Sequence, residues 1–489
     1  MSISLSADLS MYDSPEYYDH LEMAKRDSSS IITILWNAID CISACIAIMS
    51  IILVLWRNHP MFVIPAFLCS VPSLIADQIF TKKNYTLHIK QLSEERQKYY
   101  YSDISSERIF AQNIRVNNIG SWLCKSYLNI WNKLFQERKH LLKVTCVVEV
   151  LLRILPELFV LWAMINIGEL IYAGVLSVGE FTFFIGLFSQ LFMQLSTIID
   201  NGVRLYDNKM KIENIIEFSH APHTIVSGNR TLDKIHKIEF ENVCFRYPDS
   251  NFDTLQGISF VIKEGERVAL VGINGAGKST IIKLLLRFYD PQSGNVLIND
   301  HNIKEYVLED LRKNIDCYLQ NDINFPFDLR KNIAIKTLNS SQNNVDEQVR
   351  QALLFSDGKD VINSVKGDFS KYLSRMFADD GIELSVGQHQ KVAIARIFFN
   401  RKSFIILDEP SSSLDPESEN NIFNAIDEQF KEHTIFFTSH RLTNLFLADR
   451  ILVLENGKII ESGTRSELLD RKGRFYELYQ YQAKKFKGV

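Results

Sequence analysis

The chain has 489 residues, 46% of them hydrophobic, and a formal net charge of −4. That length allows two or three domains. The near-neutral, slightly acidic balance carries no nucleic-acid footprint, and seven cysteines without a C-x-x-C pair suggest no disulfide framework.

The opening residues, MSISLSADLS, lack the basic start and apolar core of a secretory signal. Residues 1–30 read as a polar, loop-like start. Four apolar stretches follow, at about 31–56, 61–80, 144–167 and 177–199, each near the ~20 residues a helix needs to cross a bilayer. The first holds Cys41 and Cys45, four apart, which read as packing groups. The second contains Pro65 and Pro72, which a membrane helix tolerates. The fourth carries no charge from Phe181 to Ile199, and Ser177 with Glu180 forms a capping box at its start.

Between the second and third stretches lies a polar region, 81–143, with twelve Lys/Arg against five Asp/Glu. It has no proline and is rich in helix formers, so it predicts helices extending far from the membrane. The short link 168–180 has no Lys or Arg. The positive-inside rule then places the long loop and both termini in the cytoplasm. Glu149, Arg153 and Glu157 recur every four residues and share one helix face. They read either as an intramembrane functional cluster or, more simply, as an ion-paired ladder on a cytosolic extension.

The membrane region, 31–217, gives way to a linker, 218–236. From Lys237 the apolar period changes to two, with Ile238, Phe240, Val243 and Phe245 on one face of a strand. A second domain, 237–489, begins here. Near its end RILVLENGKIIESG predicts a hairpin turning at Asn456-Gly457.

The strand RVALV (267–271) runs into GINGAGKST (272–280) and then an apolar helix. This is G-x-x-x-x-G-K-S in the strand–loop–helix setting that a phosphate loop requires. Gly272, Asn274, Gly275, Ala276, Gly277 and Thr280 shape a cradle of backbone N–H groups. Lys278 reaches the terminal phosphates, and Ser279 offers a hydroxyl to Mg²⁺. FIILDEP (404–410) is a buried strand that delivers Asp408 and Glu409 at its carboxyl end, where open α/β sheets bind ligands. Asp408 suits the metal shell, and Glu409 suits the base that orients the attacking water. The pattern predicts an ATP- and Mg²⁺-dependent α/β ATPase behind a membrane α-helical domain of about four crossings.

With these motifs in order, the nucleotide half resembles the ATPase of ATP-binding cassette (ABC) transporters. The whole chain is similar to the exporters that fuse permease and ATPase. The resemblance makes LSVGQ (384–388) the signature, so that Ser385, Gly387 and Gln388 grip ATP held by a second chain. That implies a homodimer, or a heterodimer with another half-transporter, in the plasma membrane. It also implies that Tyr247 stacks on adenine, that Gln320 contacts Mg²⁺, that SSLD (412–415) crosses the dimer interface and that His440 contacts the γ-phosphate. The implied activity is ATP-driven export of a peptide, lipid or amphipathic small molecule. Two features depart from the pattern. Val386 replaces the usual glycine, which keeps the backbone farther from an anion or marks a position that needs no left-handed conformation. Four membrane helices stand where six are usual. Residues 12–27 and 108–116 resemble the first and second cytoplasmic loops, as though two helices preceded this start. A rival reading is a truncated, non-transporting subunit that binds ATP and supports a partner chain.

Overall fold

Large apolar side chains recur at steps of three and four through residues 30–219, the signature of helices packed along one face. The computed structural model describes residues 7–14, 17, 18, 20, 21, 24, 30–58, 60–174, 176–219, 224–248, 250–320, 322–337, 344–411, 413–439 and 441–487. They form two units, divided at Pro222 and His223, with Asp8–Ser10 counted in the second.

The first unit contains helices α1 (Ser30–Asn58), α2 (Val63–Ser106), α3 (Arg108–Val116), α4 (Gly120–Tyr172) and α5 (Val178–Ser219). Phe184, Phe188, Leu191 and Leu195 of α5 meet Phe159, Ala163 and Ile167 of α4 and Ile48, Ile51 and Leu55 of α1 in one core. Phe62, Phe159 and Phe188 pack edge to face within it. The outward faces remain apolar: Ile32, Trp36, Ile39, Met49 and Leu53 are all exposed. Such a surface suits lipid rather than water.

Three helices among the described residues are long and apolar enough to cross a membrane: Ile32–Arg57, Pro60–Ser106 and Val178–Glu213. The remaining expected run, 144–167, is a continuous part of α4 but is not one of the three; Glu149, Arg153 and Glu157 interrupt it. Those charges do not form the expected ladder, and no ion pair joins them among the described residues. Glu149 instead lines a cavity of about 330 Å³ with Asp77, Asp200 and Arg204. Arg153 and Glu157 line a second of about 330 Å³, which shares Asp77 and Asp200. The common helix face thus points at α2 and α5, not along itself.

The polar region 81–143 is helical, as its composition predicts. The ends of α2 and α4 are tied by a partly buried network. Gln91 donates to Glu137 at 2.8 Å and accepts from Arg138 at 2.9 Å, while Arg138 also pairs with Glu95. The capping box at the start of α5 is present, with Ser177 N donating to Glu180 at 2.8 Å and Glu180 N donating to Ser177 at 3.2 Å.

The second unit holds two sheets. Strands β1 (Lys237–Phe245), β2 (Leu255–Lys263), β4 (Ser293–Ile298) and β5 (His301–Asn302) form an antiparallel sheet in the order β2-β1-β4-β5. The larger sheet uses β3 (Arg267–Val271), β6 (Ile315–Tyr318), β7 (Phe404–Asp408), β8 (Thr434–Thr438), β9 (Arg450–Glu455) and β10 (Lys458–Gly463), in the order β10-β9-β3-β8-β7-β6. From β9 to β6 it is parallel. Phe404, Ile406 and Phe436 enter the core on one face, and Ile405, Leu407 and Phe437 enter the core on the other. Burial on both faces explains why these strands read as unbroken apolar runs.

The predicted hairpin is β9–β10, with Asn456 and Gly457 both left-handed at φ 48° and 73°. The expected linker behaves differently from its composition. Arg230 bridges to Tyr306, and Leu232 and Ile235 are buried in the core beside β1. Residues 224–236 therefore pack as part of the second unit.

Candidate active site

Parallel strands bring their carboxyl ends to one edge. In this sheet Thr438 of β8 pairs with Leu270 of β3 on one side and with Asp408 of β7 on the other. Tyr318 of β6 pairs with Leu407. The loop after β3, the acidic pair after β7, Thr438 and the segment after β6 therefore share that edge, the ligand-binding side of an open α/β sheet.

The loop 272–277 connects β3 to helix α6 (Lys278–Leu285). Gly277 caps the helix in a left-handed conformation, φ 109°, and an added Cβ would lie 2.8 Å from Leu255 Cδ2. At Gly272 the Cβ would lie 2.4 Å from the carbonyl oxygen of Leu454. Both positions need glycine for space, and Gly277 also for conformation. Ala276 is buried and its N–H returns to Ile273 O, while Asn274 and Gly275 are exposed on the rim. Ser279 and Thr280 open the helix. Lys278 is buried, and its ammonium donates to the carbonyls of Gly272 and Ile273 at 2.9 and 3.2 Å. Burial pushes this amine below the usual lysine range, and the carboxylates of Glu409 and Asp408 pull it back up. A desolvated cation held beside a ring of N–H groups attracts a polyanion strongly.

Asp408 is 3% exposed and accepts a hydrogen bond from the Thr438 hydroxyl at 2.7 Å. The same hydroxyl accepts from the backbone N–H of Glu409 at 3.0 Å. Glu409 is left-handed, φ 54°, a conformation that costs a non-glycine residue free energy and turns its side chain out of the strand direction. Its carboxylate accepts from the Gln320 amide at 3.0 Å. The structure thus brings Asp408, Glu409 and Gln320 together, and it adds Thr438, which the sequence reading did not single out. The available signal was a hydroxyl closing the apolar strand TIFFT.

Helix α7 (Val386–Asn400) carries the signature turn. Ser385 is its N-cap and forms a capping box with Gln388. Gln388 also reaches Ser364, and Gly387 lies against Ser413 O. Among the described residues no hydrogen bond of Ser385, Gly387 or Gln388 reaches the chain's own phosphate loop. Val386 is the first helical residue and is not left-handed, so a β-branched side chain fits the backbone there. Tyr247 is half-buried beside the loop. Its hydroxyl lies 3.2 Å from Thr280 Oγ1, and Lys283 sits 5.0 Å over its ring. His440 and Ser412 lie outside the described residues. The rest of the SSLD segment leads into helix α8 (Pro416–Gln429), where Asp415 caps the N–H groups of Glu417 and Ser418.

Ser279, Gln320 and Asp408 offer a hydroxyl, an amide and a carboxylate. These hard oxygen donors suit Mg²⁺, which takes few protein ligands and completes its shell with water and phosphate.

A glycine loop between a central parallel strand and a helix, faced by an acidic pair from the strand one place beyond its neighbour, defines a P-loop ATPase. Comparison with known proteins makes the class specific. Residues 255–412 match the ABC transporter family. The chain is 28% identical over 96% of its length to the subtilin transport ATP-binding protein SpaT of Bacillus subtilis, and spans 76% of that protein. It is 33% identical over 64% of its length to YgaD of Bacillus subtilis (strain 168), named for multidrug export as an ATP-binding/permease protein, and spans only 53% of it. A bacterial Atm1-family ABC exporter solved with ATP bound has the same fold, with a TM-score of 0.86 at 24% identity over 99% of this chain and 83% of that one. Residues 255–412 thus form an ABC transporter domain, and a helical membrane-type region precedes them in the chain.

Proposed function

We propose that the chain is one half of a dimeric, ATP-driven exporter in the plasma membrane, with both termini cytoplasmic. The observation that carries this reading is the separation of two anion-binding elements. The phosphate loop, Asp408, Glu409 and Gln320 share one sheet edge, while Ser385 caps α7 and is exposed, with its hydrogen bonds spent within its own turn. Each ATP then lies between the phosphate loop of one chain and the signature turn of the other, where a helix N-terminus favours an anion.

In this reading Lys278 and the N–H groups of 272–280 hold the phosphates. Tyr247 takes the adenine, and Ser279, Asp408 and Gln320 hold Mg²⁺. The ion supplies charge neutralisation at the β- and γ-phosphates when bound. Glu409 orients the attacking water and takes its proton, and His440 contacts the γ-phosphate. The cargo path runs along α1, α2 and α5, the three helices long and apolar enough to cross, with α4 as a fourth crossing whose charged face turns toward α2 and α5 rather than lipid. Relatives named for subtilin transport and multidrug export support an amphipathic cargo, either a peptide or a small molecule.

A mixed dimer tests the shared sites. One chain carries Lys278→Ala and the other Ser385→Arg. Each is inactive as a homodimer, but the mixture has one composite site with both lesions and one with neither. ATPase activity is expected to return on mixing. No recovery in preparations shown to contain heterodimers would overturn the shared-site arrangement.

A further inference from the structure

Gln390 lies five residues after Ser385 on the buried side of α7 and is 5% exposed. Its amide nitrogen donates to Pro410 O at 2.6 Å, and its amide oxygen accepts from Ser413 N at 3.1 Å. A primary amide has a donor and an acceptor at the same end, so one side chain can hold two points of a loop. The two points matter because of what precedes them. Pro410 directly follows Glu409, whose left-handed backbone is held by Thr438. On the other side, the signature turn rests on the same loop, since a Cβ at Gly387 would lie 3.4 Å from Ser413 O.

One buried amide therefore joins the signature helix to both ends of the segment leaving Glu409, at Pro410 and Ser413. In the dimer proposed above these parts serve different nucleotides. The signature turn faces the ATP of the partner chain, and Glu409 with Gln320 faces the chain's own ATP. We propose that Gln390 is a positioning residue that couples the two ATP sites: displacement of the signature turn on one nucleotide is passed through its amide to the backbone that aims Glu409 at the other. The inference rests on the shared-site reading and adds a physical link to it. Gln390 touches neither nucleotide, so it acts on turnover and cooperativity rather than on the affinity of a single site.

The test uses the full-length chain and two substitutions. Gln390→Met keeps the side-chain length and removes both hydrogen bonds. Gln390→Glu keeps the acceptor for Ser413 N and loses the donor to Pro410 O. Equilibrium ATP binding, steady-state hydrolysis against ATP concentration and thermal unfolding are measured for each. Site-to-site coupling is typically worth about 5- to 150-fold in affinity. Gln390→Met is expected to keep the ATP dissociation constant within about twofold, lower kcat by about tenfold and bring the Hill coefficient for ATP to one. Gln390→Glu should fall between Met and wild type on both kinetic measures. A loss of kcat with an unchanged Hill coefficient would show that Gln390 only packs the domain, and unchanged kinetics would overturn the proposal outright. If Gln390→Met unfolds, Gln390→Glu is decided by the same split. Failure of the Lys278→Ala and Ser385→Arg mixture to recover would remove the dimer and this coupling with it. Recovery there, with cooperativity intact in Gln390→Met, would remove the coupling alone.

Discussion

The Thr438 hydroxyl donates to Asp408 at 2.7 Å while accepting from the backbone N–H of Glu409 at 3.0 Å. A fully buried oxygen thus fixes both acidic residues, one by its carboxylate and the other by its backbone. Groups that orient a metal ligand typically contribute about 10- to 100-fold to metal affinity or activity. Thr438→Val keeps the shape and removes the hydroxyl. It should raise the Mg²⁺ concentration needed for half-maximal ATPase activity by about tenfold or more. Thr438→Ser should restore most of it. A Mg²⁺ titration of both variants checks this, and equal Mg²⁺ requirements would show that the hydroxyl is only a satisfied core group.

Glu409 and Gln320 meet at 3.0 Å at the exposed end of the same sheet edge. Glu409→Gln preserves size and hydrogen-bonding reach but cannot take a proton from water. General-base contributions run at about 10²- to 10⁴-fold, so turnover should fall within that range. ATP affinity should change little, because Lys278 and the loop N–H groups are untouched. ATP-loaded dimers should accumulate in size-exclusion chromatography. Normal steady-state hydrolysis by this variant would remove Glu409 from the chemistry.

The chemistry-bearing parts of the ATPase were legible because they are local. The phosphate loop needs its glycines at fixed spacing, and Gly272 and Gly277 show the close approaches that enforce it. The strand before Asp408 is apolar at every position because both of its faces are covered. What stayed hidden depends on contacts between distant segments. Thr438 is one hydroxyl in a strand until the parallel register sets it beside Asp408. Gln390 looks like any polar residue in a helix until its partners, Pro410 and Ser413, are known. Residues 224–236 looked like a linker because polar residues dominate them, but Leu232 and Ile235 suffice to dock them. The spacing of Glu149, Arg153 and Glu157 showed that they share a face but not what that face meets. Helices α2 and α5 supply Asp77 and Asp200 there.

His389 adds a pH dependence to the signature helix. Its ring nitrogen Nδ1 lies 2.9 Å from the Asn324 amide nitrogen, which also donates to His389 O at 2.8 Å. Arg396 holds the other end of Asn324 and pairs with Asp322. Burial pushes the imidazole below the usual histidine range, and Glu383 pulls the other way. The folded state therefore favours the neutral ring, whereas an unfolded histidine titrates near ~6.5. The stability from this site is present above about pH 6.5 and is lost as pH falls through the lower folded-state value. Thermal unfolding of the full-length chain in detergent should show a decline over that acidic window. His389→Gln should flatten it. A slope that survives the substitution would assign the pH dependence to other groups.

Val386 provides the sharpest contrast between motif and geometry. The family pattern has glycine there, which raises the prospect of slow hydrolysis. In the structure Val386 is the first residue of α7, has no left-handed backbone, and is 71% exposed. Its side chain is largely in solvent, and the cap is made by Ser385 and Gln388. Restoring glycine should therefore do little for the chemistry. It should also cost the helix up to about 0.5 kcal/mol, because glycine is the poorer helix former. Val386→Gly is expected to hydrolyse ATP within about twofold of the wild-type rate, with a small loss of thermal stability. The comparison needs saturating ATP and Mg²⁺, so that turnover rather than binding is read. A rise in kcat of about tenfold, equivalent to 1.4 kcal/mol of barrier, would mean that the backbone at 386 must approach the phosphate more closely than a β-branched residue permits.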